Sequence, residues 1–150
     1  MPTHAEQKPL PYSAEEMFEL VADIERYPEF LPWCVGTRIR SRDGDVLIAD
    51  MVIGYKMFRE RFTSRVQFSR PEHIDVSYSE GPFKYLNNHW KFLPNPRNGK
   101  GCIVDFYVDF EFRSKVLQKM IGAVFDQAVR IMVHAFEKRA EAIYGAREGN

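Results

Sequence analysis

The feature that most constrains this chain is a strand-like run followed directly by a helix-like one. From Cys102 to Phe112 the even positions are Cys102, Val104, Phe106, Val108, Phe110 and Phe112, while the odd ones include Asp105, Asp109 and Glu111. Successive strand side chains point to opposite faces, so the run predicts a strand with one apolar and one wetted face. From Ser114 to about Tyr144 the period becomes helical, without proline and with one early glycine, Gly122. A helix of that length spans roughly 45 Å, longer than the core of a small domain requires. Its apolar coverage is also wide. Leu117, Met120, Ile121, Val124, Ala128, Ile131, Ala135 and Phe136 form one stripe, which Val116, Phe125, Val129, Met132, Val133 and Ile143 carry further round the cylinder. A stripe broader than about 100° touches more than one apolar surface. Two arrangements satisfy it: packing between a sheet and other helices, or lining part of a cavity.

The chain ahead of this run supplies the sheet. Residues 3–8 suit a short first strand. Ser13-Ala14-Glu15-Glu16 is a capping box, and Met17, Leu20 and Val21 follow as an apolar helical stripe with Phe18 at its flank. Asp23 is placed to cap a second short helix through Ile24 and Tyr27, and Tyr27-Pro28 and Leu31-Pro32 end regular structure there. Strands are then predicted over 35–41 and 46–53, joined at Asp43-Gly44, and over 58–68, 73–80 and 84–93, the last two joined at Gly81-Pro82. The fold class is α+β: two short N-terminal helices, an antiparallel sheet, and the long C-terminal helix across one face. Residues 1–150 are predicted to form one domain, with its core over about 12–145.

Composition narrows the function. Lys+Arg and Asp+Glu balance at 21 each, which argues against a generally nucleic-acid-binding or polybasic membrane protein and leaves room for a local patch. Cys34 and Cys102 belong to no Cys-x-x-Cys pair and read as reduced cytosolic thiols. Residues 1–11 show no secretory pattern, and no segment reaches the ~20 apolar residues that span a bilayer. A cytoplasmic protein is expected, with membrane contact only at the periphery of the inner face. Phosphate-binding glycine loops, metal-ligand spacings and nucleophile elbows are absent. His4, His73, His89 and His134 are scattered, and Asp105 and Asp109 lie on an outward face where acids keep a strand soluble. No catalytic residue and no metal site is therefore assigned.

Strand parity selects the candidate site. Phe62 and Val66 share a face with Glu60 and Ser64, opposite Arg59, Arg61 and Arg65; Leu86, Trp90 and Phe92 share a face with Asn88. A carboxylate on an apolar face needs pairing, hydration or a proton. Glu60 is either a wetted strand-end group or the polar end of an apolar pocket, and Asn88 either a satisfied buried amide or a ligand contact. Tyr55, Lys56, Met57 and Phe58, next to Arg59 and Arg61, form an apolar tip flanked by cations. That pattern suits a membrane-touching entrance, or an edge strand whose charges prevent aggregation.

The segment from Leu20 to Cys34, LVADIERYPEFLPWC, resembles the opening signature of the coenzyme Q-binding protein and ribosome association toxin RatA family, within the START-like, polyketide cyclase/dehydrase-related superfamily. Phe62-Thr63-Ser64-Arg65-Val66, Gly81-Pro82-Phe83, Trp90-x-Phe92, Val108-Asp109-Phe110-Glu111-Phe112 and Ala135-Phe136-Glu137-Lys138-Arg139-Ala140 match in the same order, over roughly residues 12–145. The resemblance implies a helix-grip fold with an apolar tunnel between sheet and helix. It further implies non-catalytic binding of ubiquinone or a related isoprenoid lipid in support of respiration, with the quinone as bound ligand and no other cofactor. Taken with strand and helix parity, it selects Phe62, Trp90, Phe106, Phe110, Met120, Val124 and Ile131 as tunnel lining. Glu60 and Asn88 are the polar candidates, and residues 55–58 the entrance. The alternative it carries is a toxin that blocks association of ribosomal subunits. Arg59, Arg61 and Arg65 would then supply a local basic patch; a DNA partner is not expected.

Overall fold

In the computed structural model, residues 3–55, 58–94 and 101–145 are described. Their order is β1 (Thr3–Leu10), α1 (Ala14–Ala22), a 3₁₀ helix (Ile24–Glu29), β2 (Cys34–Asp43), β3 (Val46–Tyr55), β4 (Phe58–Ser69), β5 (His73–Glu80), β6 (Phe83–Pro94), β7 (Cys102–Phe112) and α2 (Lys115–Tyr144). The strands form one seven-stranded sheet in the order β1-β7-β6-β5-β4-β3-β2, every pairing antiparallel. The long helix lies across its inner face. This is the helix-grip α+β architecture expected from the alternating strand and the broad helical stripe.

Local chemistry sets the boundaries. The Ser13 hydroxyl accepts from the Glu16 amide at 3.1 Å, and the Glu16 carboxylate accepts from the Ser13 amide at 2.9 Å, completing the capping box. Ser114 opens α2 in the same way, accepting from the Leu117 amide at 3.2 Å. Gly44, at φ 61°, turns β2 into β3. Gly81 has φ 143°, and a Cβ there would lie 2.6 Å from the Phe62 Cβ, so the β5–β6 turn accepts only glycine.

Three expectations change. Phe18 is fully buried rather than flanking. Helix α1 is covered on two sides, by β5–β7 and by α2, and the Phe18 ring meets Phe68 and Phe92 edge-on at 6.1 and 5.8 Å. Asp23 occupies the capping position of the 3₁₀ helix without a side-chain capping bond and instead lies 3.8 Å from Arg26. Pro28 does not end that helix, because its fixed φ is helical and its only loss is one donor. Strand β4 pairs with β3 from Phe58 on but with β5 only from Thr63 on, so Arg59 and Arg61 lie where β3 alone is paired beside them, as the edge reading allows.

Candidate functional site

The inner face of the sheet is not filled uniformly. Beneath the first half of α2 lies a cavity of about 430 Å³. Its floor comes from Met51, Ile53 and Gly54 of β3, Glu60 and Phe62 of β4, Phe83 and Leu86 of β6, and Val108, Phe110 and Phe112 of β7. Its roof is one face of α2: Leu117, Ile121, Phe125, Ala128, Val129 and Met132, with Gln127 and Ile131 at the rim. Beneath the second half of α2 the same layers enclose only about 20 Å³, between Met17 of α1, Trp90, Val104, Phe106, Val133 and Phe136. That space holds about one water.

The hairpin register accounts for the floor. Met51 pairs with Phe62 and Ile53 with Glu60, so once β4 presents Phe62 and Glu60 inward, β3 presents Met51 and Ile53. At the far end a ring cluster closes the space. Phe83 stacks on Phe112 at 4.6 Å and meets Phe62 and Phe110 edge-on at 5.2 and 5.7 Å, while Phe110 contacts Phe125 at 5.4 Å. At the near end Trp33 borders the cavity. Its φ of 67° is strained for a residue with a Cβ, and its carbonyl accepts from the Gly54 amide at 2.8 Å, tying the residue before β2 to the end of β3.

Polar groups are few. Among the described residues, Glu60 is the only carboxylate lining the cavity; it is half-buried and has no hydrogen-bond or ion-pair partner there. Gln127 is the other polar side chain at the rim. Asn88 is satisfied elsewhere: its amide donates to the Tyr107 carbonyl at 2.9 Å and accepts from the Trp90 indole N–H at 3.1 Å. It sits on β6 between Leu86, which lines the large cavity, and Trp90, which lines the small one, and so marks their boundary. The buried Ser64 hydroxyl has no partner among the described residues. Its neighbour Thr63, on the opposite face, donates to the buried Asp50 carboxylate at 2.5 Å, and Arg40 lies 3.6 Å from the other oxygen of that carboxylate.

The sequence-selected residues therefore divide. Phe62, Phe110, Ile131 and Glu60 line the large cavity. Trp90 and Phe106 pack on each other at 4.6 Å and face the small one, because α1 inserts Met17 and Phe136 meets Trp90 edge-on at 5.1 Å. Met120 packs against the core but lines neither cavity. Lys56 and Met57 lie outside the described residues, as do the side chains of Tyr55, Phe58 and Val124. Sequence reasoning missed Trp33, Phe83, Phe112, Leu117, Ile121 and Phe125. Met51 and Ile53 of β3, also missed, follow from the β3–β4 register once Phe62 and Glu60 face inward; the helix residues do not, since an apolar stripe this wide does not reveal its own centre.

The remaining titratable groups read as structural. Burial pushes the Cys34 and Cys102 thiols up to about 11 and raises the Tyr27 hydroxyl, which donates to the Val21 carbonyl. Hydrogen bonds from Arg139 and Arg26 hold the Glu29 carboxyl below its ordinary value and link the 3₁₀ helix to α2. His4 pairs with Glu6 and His89 with Asp75, at 2.9 and 2.7 Å. Among the described residues no group of three His, Cys, Asp or Glu side chains could hold a metal ion, and no helix is long and apolar enough to cross a membrane.

Comparison with known proteins places this geometry. Residues 10–137 match the family described as polyketide cyclase/dehydrase and lipid transport. The chain is 39% identical over 140 residues to the ribosome association toxin RatA of Rickettsia prowazekii, covering 91% of this chain and 94% of that protein. It is 33% identical over 147 residues to the mitochondrial coenzyme Q-binding protein COQ10 homolog B of Xenopus laevis, covering 97% of this chain and 60% of that protein. The solution structure of the 18 kDa protein CC1736 from Caulobacter crescentus is 39% identical and superposes with a TM-score of 0.77 over 97% of this chain and all of that one (100%). The two named relatives are called a toxin and a binding protein. With its fold, its sheet–helix cavity and these matches, the chain belongs to the polyketide cyclase/dehydrase and lipid-transport family, in the group that holds the RatA and coenzyme Q-binding proteins.

Proposed function

We propose that this protein is a non-catalytic lipid-binding module that holds ubiquinone or a related isoprenoid in the large cavity and serves respiratory electron transport as a carrier or chaperone. The observation that carries this reading is the cavity itself: about 430 Å³ of almost wholly apolar space between α2 and the sheet. A core meant only to pack would close such a space, because interiors reach the density of organic crystals. An isoprenoid tail placed there gains about 0.8 kcal/mol for each methylene removed from water. One lining carboxylate without a second acid or base among the described residues suits binding better than cyclisation chemistry.

The rim suits delivery from a membrane surface. Ile131 is 41% exposed while lining the cavity, Val35 is 45% exposed just after Trp33, and Arg59 and Arg61 flank Glu60 on the other face of β4. Apolar residues bordered by cations match the inner face of an anionic bilayer, touched from the cytoplasmic side. The test is organic extraction of the purified protein followed by mass spectrometry, which should recover a quinone or other isoprenoid. Protein that is repeatedly empty and shows no thermal shift with added quinone would overturn the reading.

One observation favours a second reading, a RatA-like action on ribosomal subunits. Arg38, Arg40, Arg59, Arg61 and Arg65 are all exposed on the outer face of β2 and β4, and Arg38, Arg59 and Arg61 have no ion pair among the described residues. The face is locally basic on a neutral chain, as a phosphate backbone would require. Added protein should shift a sucrose-gradient profile from joined to separate subunits; an unchanged profile removes this reading.

A further inference from the structure

The polar chemistry of the cavity bears on the redox state of its ligand, an inference that rests on the isoprenoid-quinone reading above. A quinone ring presents carbonyl and ether oxygens, all acceptors, and needs donors from the protein. Its two-electron-reduced form, the hydroquinone, presents two hydroxyl donors. Asn88, the amide that a quinone carbonyl would have used, is spent on Tyr107 and Trp90. The Gly54 amide at the cavity edge is spent on the Trp33 carbonyl. Glu60 faces the space as its one carboxylate acceptor among the described residues and has no partner among them. The Trp33 indole N–H and the Gln127 amide also line the space, but each serves a carbonyl and a hydroxyl oxygen alike, so neither discriminates.

The arrangement of the walls orients the ligand. Among the lining residues Gln127 and Ile131 are exposed and Glu60 and Trp33 half-buried, whereas Phe83, Phe112 and Leu117 are buried. An amphiphile with its tail against the buried rings leaves its own ring beside Glu60. A hydroxyl there makes a charge-assisted hydrogen bond, while a carbonyl there sets lone pairs against a carboxylate. We infer that the cavity is selective for the reduced, hydroxyl-bearing form of its isoprenoid ligand, with Glu60 as the specificity-determining residue.

The test is isothermal titration of the full chain under argon with decylubiquinone, with decylubiquinol, and with the dimethyl ether of the quinol, which keeps the ring but loses both donors. The quinol is expected to bind about tenfold more tightly than the quinone, with the ether resembling the quinone. By linkage, a tenfold preference raises the two-electron potential of the bound couple by about 30 mV. Glu60→Gln, whose amide can both donate and accept, should bring the quinol-to-quinone ratio to within about twofold. Equal binding of the two redox forms, or a preference that survives Glu60→Gln, overturns this inference and leaves lipid binding standing. If none of the three binds and extraction also finds the protein empty, the lipid reading fails and this inference with it. The dimethyl ether arm uses the unaltered protein, so the preference for a hydroxyl-bearing ligand is decided even if Glu60→Gln folds poorly.

Discussion

The two halves of the sheet–helix interface share the strands β6 and β7 and the helix α2, yet one is packed and the other hollow. At the packed end Trp90, Phe106 and Phe136 interlock, α1 supplies Met17, and about 20 Å³ is left. At the hollow end Leu86, Val108 and Phe110 on the same strands face Ile121, Phe125 and Ala128 across about 430 Å³. Residue type does not separate them, since both are lined by aromatic and aliphatic side chains. The difference is that α1 packs against β5–β7 and α2, covering one end only. A cavity in this fold is thus an uncovered stretch of ordinary core.

The sharpest way to break that comparison is to remove a ring from each half. Phe92 is fully buried beside Phe18 at the packed end, and Phe92→Ala should cost about 3–5 kcal/mol in chemical denaturation. Phe125→Ala should cost half of that or less, because the ring already borders empty space and gives up fewer contacts. Equal costs would mean that the hollow end collapses around itself in solution.

Adding volume should show the same order. Ala140 is fully buried, and Ala140→Phe should destabilise by about 1–3 kcal/mol through overpacking. Ala128→Phe projects into the large cavity and should leave the melting temperature nearly unchanged while reducing isoprenoid retention at least about tenfold. A matched loss of stability in both variants would show that the cavity has no room for an added ring.

Two neighbours on β4 test the same idea with polar groups. Thr63→Val strips the buried Asp50 carboxylate of its hydroxyl donor and should cost about 1–3 kcal/mol. Ser64→Ala removes a buried hydroxyl without a partner among the described residues, so its effect should lie between neutral and about 1 kcal/mol of stabilisation. Denaturant midpoints of the two variants separate these outcomes.

The smallest effect concerns the thiols. Burial raises both folded-state values to about 11, so each thiol stays neutral in the native state. The sign follows: their contribution to stability is complete below the ordinary thiol range and is lost as pH rises from there through about 11. Native alkylation at pH 8 should be slow at both sites, and several-fold faster at Cys34, which is 9% exposed, than at Cys102, which is 0% exposed. Peptide mass mapping over time would reveal the order, and faster labelling of Cys102 would place the looser half at the packed end.

Much of the fold was legible because its signals are local. The capping box at Ser13, the turns at Gly44 and Gly81, and the alternation of Cys102–Phe112 each act within a few residues, and all appear where expected. Site residues were legible only as far as parity reaches. Phe62, Phe110 and Glu60 were placed on the inner face and do line the large cavity. Trp90 and Phe106 lie on the same face by the same parity, yet they meet Phe136 rather than space. Asn88 met partners supplied by β6 and β7, which no single-strand pattern contains. Along α2, Phe125 and Val129 are buried while Ile131 is 41% exposed, so the centre of the stripe lies to one side of the residues chosen from the helical period.

The amino-acid sequence by itself determined the strands, their apolar faces and the long helix, because alternation, helical period and turn chemistry are properties of neighbouring residues, and its Leu20–Cys34 motif carried the family resemblance. Tertiary structure alone decided where the interface is full and where it is hollow, and which polar group remained free to face the hollow. Periodicity states which way a side chain points. What stands opposite depends on how far α1 reaches across the sheet, and that is settled only when all the layers pack at once.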